Sequence, residues 1–209
     1  ESGGMHVPSA LAGGLRRRFG TEILTVWGST ETTGVVLANR PGDPYAACCL
    51  GRPVDGYAVQ TLREDGQPCA PGEPGELVVS GPGVCPGYFG EHSQAQNRLH
   101  NGRFCTGDES FYDASGRYFF AGRQSMLLKV GGMKVFPVEI EEALRQHPDV
   151  AEAVVLPMPD DLRGEAAKAV VAPRNGAVLT TAGLRKFLQT RLHRLKMPRV
   201  IEIRDALPR

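Results

Sequence analysis

Long apolar runs are missing from this sequence of 209 residues, and stretches such as 151–157 stay far short of the roughly 18 residues a membrane span requires. No charged-then-apolar leader opens it, so secretion is not expected. Cysteine is sparse: Cys48, Cys49, Cys69, Cys85 and Cys105 are odd in number and form no CxxC pair. That excludes a disulfide framework or a cysteine zinc site as the organising feature, and the expected compartment is a reducing cytoplasm. An initiating Met is also lacking. The chain starts at Glu1 and stops at Arg209, and both ends are expected to be cut rather than finished.

Acidic residues are absent from 166–201, although the whole chain carries a formal charge of only +1. Residues 166–209 hold ten basic and two acidic side chains, a net +8, which leaves −7 for the other 165. Such a one-signed segment can hold an anionic partner, or it can be a solvated basic face.

What is present falls into three zones: 1–47, 48–122 and 123–209. In the first, Gly13-Gly14 interrupts a helix-like stretch. The buried run 23–27 then reads as a strand leading into the polar loop 28–34, where α/β folds usually place a phosphate or substrate. The second zone is rich in Gly and Pro, with short β runs at 57–62, 76–79, 111–112 and 118–120 and turns at Asp65-Gly66 and 113–116. Regular turn spacing of this kind indicates a small barrel or curled sheet. In the third, Pro137 opens a helix through about Gln146, and 150–156 and 168–172 are strands. Thr180 caps a helix whose Leu184, Phe187, Leu188, Leu192 and Leu195 form a core stripe. The expected fold is an α/β remnant, a small β-barrel subdomain and a small α+β C-terminal domain.

Three short segments could carry chemistry. Thr30 offers a hydroxyl to a phosphate, and Glu31 beside it offers a carboxylate to Mg²⁺, yet a Ser-Thr-Glu loop can equally cap a helix. Asp108 in Thr106-Gly107-Asp108 could accept two ribose hydroxyls, but such a triplet is commonly a turn. Arg123 after Gly122 could end a hairpin and pair with a surface acid.

Taken together and in order, these segments resemble the C-terminal part of the acyl-adenylate-forming superfamily, which includes acyl-CoA and aryl-CoA ligases, peptide-synthetase adenylation domains and luciferases. The resemblance rests on Trp27-Gly28-Ser29-Thr30-Glu31; on Gly75-Glu76-Leu77 with Gly81-Pro82 and Gly87-Tyr88; on 104–108 with Gly116 and Gly122-Arg123; and on Lys129 through Gly132 to 137–141. It implies ATP-dependent activation of a small carboxylic acid as acyl-AMP, followed by transfer to CoA or to a carrier protein's phosphopantetheine. Thr30 would bind phosphate and Glu31 would hold Mg²⁺. Trp27, Gly28 and Ser29 would line the nucleotide site, with Gly3, Gly4 and Met5 beside the adenine and acyl pocket. Asp108 would take the ribose hydroxyls with Arg123 nearby. Lys129 would touch the adenylate or thioesterification site, and Gly131 and Gly132 would let pantetheine pass. The C-terminal domain is implied to be mobile. No nucleic acid and no membrane span are expected.

Two departures from the family pattern stand out. Ser125 replaces the usual Asp or Lys hinge. The Ser/Thr/Gly-rich phosphate loop and the terminal Thr-x-x-Gly-Lys are absent, so this chain alone is expected to be inactive. A CoA ligase, a carrier-protein-loading enzyme and a non-catalytic module of the same family all remain open, as does the choice of aryl or fatty acid.

Overall fold

The computed structural model describes residues 2–3, 7, 9–89, 98–174 and 176–207. The chain divides into two compact units, 1–124 and 125–209.

The first unit begins with β1 (Ser2–Gly3), α1 (Ser9–Phe19) and β2 (Thr25–Ser29), with β1 and β2 parallel. Contrary to expectation, Gly13-Gly14 does not interrupt α1. The helix runs through both and stops at Gly20, whose φ of +63° and amide bond to Arg16 O (3.0 Å) provide the left-handed end that glycine favours. There follow β3 (Gly34–Ala38), β4 (Cys49–Pro53), β5 (Ala58–Leu62), β6 (Gly75–Ser80), β7 (Leu99–His100), β8 (Arg103–Tyr112) and β9 (Tyr118–Arg123). The expected turns are present: Asp65 accepts from Gln67 N at 2.9 Å, and Asp113 accepts from Ser115 N at 2.9 Å and Arg117 N at 3.0 Å.

Among the described residues these strands make one nine-stranded sheet, ordered β1-β2-β3-β4-β9-β8-β6-β5, with β7 on β8. The strands expected to form a separate barrel thus continue the sheet begun by β1–β3, on a path that ends at β5. β4 makes the connection, pairing with β3 on one side and β9 on the other. Gly51 lets it approach: a Cβ there would lie 2.0 Å from Ala38 C. Val36, Leu37, Val59, Leu77, Val79 and Tyr118 form the core, with Trp27 and Tyr57 packed against it.

The second unit contains β10 (Leu128–Val130), β11 (Met133–Val135), α2 (Pro137–Arg145), β12 (Val150–Asp160), β13 (Gly164–Pro173), α3 (Thr181–Gln189) and β14 (Val200–Ile203). Its sheet is ordered β11-β10-β13-β12, with β14 parallel to β13. Pro137 occupies the first turn of α2, and Thr180 caps α3 by accepting from Gly183 N at 3.1 Å, both as expected. α3 ends at Gln189, so Leu192 and Leu195 lie beyond the helix, although Leu192 still joins Leu184 and Leu188 in the core. β12 and β13 outrun the expected strands. Pro157 and Pro159 cannot donate to a ladder, but β12 is an edge strand, where that loss is tolerated. The turn after β12 is organised by Asp160, which accepts from Leu162 N (3.0 Å) and Arg163 N (3.1 Å) and pairs with Arg199.

Candidate functional site

β2 turns back into β3 through a single 3-10 turn, Thr30–Thr32. The buried Thr32 hydroxyl fixes that turn: it accepts from Ser29 N at 2.9 Å and lies 3.0 Å from the carbonyls of Ser29 and Gly34. Thr33 takes a left-handed conformation, φ +54°, and bonds back to Thr30 O. A bulge at Trp27/Gly28 brings Gly28 so close to β3 that a Cβ would stand 1.9 Å from Gly34 O. This backbone presents Thr30 exposed and Glu31 half-buried.

Tyr57 and a second segment, 81–88, clamp the turn. Tyr57 Oη donates to Thr32 O at 2.6 Å, Thr33 Oγ1 to Gly83 O at 2.7 Å, and Cys85 N to Glu31 O at 2.8 Å. The Tyr88 hydroxyl donates to Glu31 Oε1. Burial raises the Glu31 carboxyl, but the bonds from Tyr88 and from its own backbone amide, with the field of Arg98, leave it below its ordinary value of 4.5. It is therefore anionic at neutral pH. No group of three or more metal-ligating side chains occurs among the described residues. A lone anionic carboxylate suits Mg²⁺, which keeps several waters and takes phosphate oxygens alongside one or two carboxylates.

Thr106-Gly107-Asp108 is not a turn between elements but a bulge within β8. Glu76 pairs with Glu109 and Val78 with Cys105, so residues 106–108 stand opposite Leu77 alone. Bulges of this kind re-aim side chains. Gly107 takes φ +73°, Thr106 Oγ1 donates to Leu77 O at 2.9 Å, and Asp108 N donates to Thr106 Oγ1 at 3.0 Å. The Asp108 carboxylate is buried. Its Oδ2 accepts from Trp27 Nε1 at 3.1 Å, and its Oδ1 lies 2.7 Å from Arg123 Nε without an aligned hydrogen bond. Burial pushes this carboxyl above its ordinary 3.8, although Arg123, Trp27 and Arg98 all pull it down.

Trp27 thereby joins the Thr30–Glu31 turn to Asp108 across 81 residues of chain, and Arg123 comes in through the β8–β9 pairing of Asp108 with Arg123. Arg98 was not singled out from the sequence. Its guanidinium lies over Gly107, with Nη1 2.9 Å from where a Cβ would stand and 3.3 Å from Thr106 O, and its charge reaches both Glu31 and Asp108. No motif signals it; only the fold brings it there. Gly3 pairs with Val26 beside β2, whereas Gly4 and Met5 lie outside the described residues.

In the second unit, the exposed Lys129 has its backbone amide bonded to Glu165 (2.6 Å). Gly131 and Gly132, with φ +56° and +82°, form the two-residue turn between β10 and β11, so turn geometry alone accounts for both glycines. Much of the basic run is internally engaged: Lys168 with Glu202 (2.6 Å), Lys196 with Glu139 (2.7 Å), Arg199 with Asp160, and Arg185 with Pro198 O (3.0 Å). Arg174, Lys186 and Arg194 stay exposed. No helix among the described residues is long and apolar enough to cross a membrane.

Comparison with known proteins gives a match to the AMP-binding enzyme model over residues 2–89 and to the AMP-binding enzyme C-terminal domain over 139–209. The chain is 32% identical over its whole length to an indoleacetate–CoA ligase of Aromatoleum aromaticum, covering 41% of that protein. It is 35% identical over 92% of its length to a crotonobetaine/carnitine–CoA ligase of Salmonella arizonae, covering 38% of it. Its fold matches the anthranilate CoA ligase AuaEII, solved with anthranoyl-AMP, with a TM-score of 0.90 and 31% identity over 100% of this chain and 41% of that one. It also matches o-succinylbenzoate CoA synthetase of Bacillus subtilis, solved with ATP and magnesium, with a TM-score of 0.86 and 30% identity over 99% of this chain and 42% of that one. The chain spans about two fifths of these relatives.

Proposed function

This chain belongs to the AMP-binding enzyme family and spans the C-terminal portion of its members, and from that premise we propose that it serves ATP-dependent activation of a carboxylic acid as acyl-AMP, followed by transfer to CoA. The observation that supports the reading is the Trp27–Asp108 hydrogen bond, which gathers the Thr30–Glu31 turn and the Asp108 carboxylate into one cluster.

In this proposal Asp108 accepts the ribose hydroxyls. It is suited to that task as a buried carboxylate with one oxygen lacking an aligned hydrogen bond. Thr30 presents its exposed hydroxyl to a phosphate, and Glu31 contributes one carboxylate to Mg²⁺. Lys129, on the second unit, serves one of the two half-reactions, and Ser125 lies at the pivot. CoA is preferred to a carrier protein because the relatives with matching sequence are named CoA ligases.

The test is ATP–pyrophosphate exchange with a panel of aryl and fatty acids, run on this chain and on a form extended at both ends. The 209 residues include neither the family's phosphate loop nor its terminal lysine, and each well-placed electrostatic donor lost commonly costs about 10²–10³ in rate. Exchange is therefore expected only in the extended form, and thioester formation with CoA rather than with a phosphopantetheinylated carrier. An extended form that neither exchanges nor binds AMP overturns the reading in favour of a non-catalytic module.

A further inference from the structure

We infer that Tyr88 is a positioning residue for Glu31: its phenol hydroxyl occupies Oε1 and thereby reserves Oε2 for a divalent cation. The inference rests on the adenylation reading above and deepens it. Gly87-Tyr88 is one of the pairs on which the family resemblance rests, and the resemblance attaches no chemical task to Tyr88.

The geometry gives it one. Glu31 is held at both ends of the residue, its carbonyl by Cys85 N at 2.8 Å and its carboxylate by Tyr88, so one short segment fixes backbone and side chain together. That segment is itself registered against the turn through Gly83 and Thr33 (2.7 Å), and Gly83 sits so tightly on Tyr57 that a Cβ would stand 1.9 Å from its hydroxyl. Tyr88 is half-buried with its hydroxyl on Glu31, while its neighbour Phe89 is fully exposed. The phenol supplies the proton of this bond, since an ionised carboxylate offers only acceptors. It can act only as a donor to the carboxylate.

An anionic carboxylate with one oxygen fixed by a strong donor cannot swing, and its second oxygen is offered in a single orientation. Hydrogen-bond partners of metal ligands typically contribute 10–100-fold in metal affinity. Tyr88→Phe keeps the ring and removes only the hydroxyl. In the extended form, Mn²⁺-dependent ATP binding without acid should be followed by calorimetry and by Mn²⁺ paramagnetic resonance, with AMP binding in chelator as the control. Roughly a 10-fold rise in the Mn²⁺ half-saturation is expected, with AMP affinity and Tm unchanged. Glu31→Gln should remove the Mn²⁺ dependence altogether.

An unchanged Mn²⁺ half-saturation in Tyr88→Phe overturns the inference. So do equal losses of ATP and AMP binding with a lowered Tm, which mark a merely structural tyrosine. If the unsubstituted protein binds neither nucleotide, the adenylation reading itself fails and the inference falls with it.

Discussion

Arg123 Nε lies 2.7 Å from Asp108 Oδ1, yet 55% of the arginine side chain is exposed and only 3% of the aspartate's. The cation is solvated and the anion is not, so the pair leaves the carboxylate with an uncompensated burial cost. The folded carboxyl consequently holds its proton more tightly than the unfolded one.

That cost makes a prediction about pH. Between the ordinary 3.8 and the raised folded value, the folded state carries the extra proton, and stability falls as pH rises through this window. Asp108→Asn removes the ionisation while its amide oxygen can still accept from Trp27. At pH 7 the variant should melt higher, by about 2–4 °C for each kcal/mol relieved, and show no gain below pH 3.8. AMP binding should drop at least tenfold, on the order of one lost charged hydrogen bond. Melting curves at the two pH values, with AMP titrations, check both halves.

Arg98→Gln tests the cation that reaches both carboxylates. Removing its field lets the Glu31 carboxyl move back up toward its ordinary value and the Asp108 carboxyl rise further above its own. Nucleotide binding in the extended form should weaken about 10-fold, with a steeper loss on acidification than in the unsubstituted protein. Identical pH profiles would show that Arg98 is only a surface side chain resting on Gly107.

Two glycine substitutions should move stability in opposite directions. Gly28→Ala drives a Cβ to 1.9 Å from a backbone carbonyl and should cost about 3 kcal/mol or more, with loss of AMP binding. Gly14→Ala lies inside α1 with nothing within 4 Å and should stabilise by about 0.5–1 kcal/mol. Denaturant titration of each variant decides.

Lys129→Ala, made in the extended form, should leave Tm unchanged, because the side chain is exposed while Glu165 holds only the backbone amide. Pyrophosphate exchange and thioester formation should then be affected unequally, as the proposed role of Lys129 in a single half-reaction requires. Equal losses in both would count against that role.

Much of the candidate site was legible in the sequence because its chemistry is tied to short segments. Thr30 with Glu31, and Asp108 with Arg123, stand in motifs whose order survives any detail of packing. Arg98 and the Tyr88–Glu31 bond were not legible. They depend on which side chains a bulge and a clamped loop bring together, and local periodicity carries no such information. Element limits were misread wherever tertiary context outweighed propensity. α1 continues through Gly13-Gly14, and β12 continues through Pro157 and Pro159 because an edge strand does not need their donors. The separate barrel was inferred from turn spacing, which cannot reveal that β4 joins its strands to β3.

The indole bonded to Asp108 is also the sole tryptophan of the 209 residues. All tryptophan emission from this chain therefore arises at one point, against the carboxylate proposed to grip the ribose. The molecule carries its own optical gauge of that point. A ligand that reorganises Asp108 should change the colour or yield of the emission.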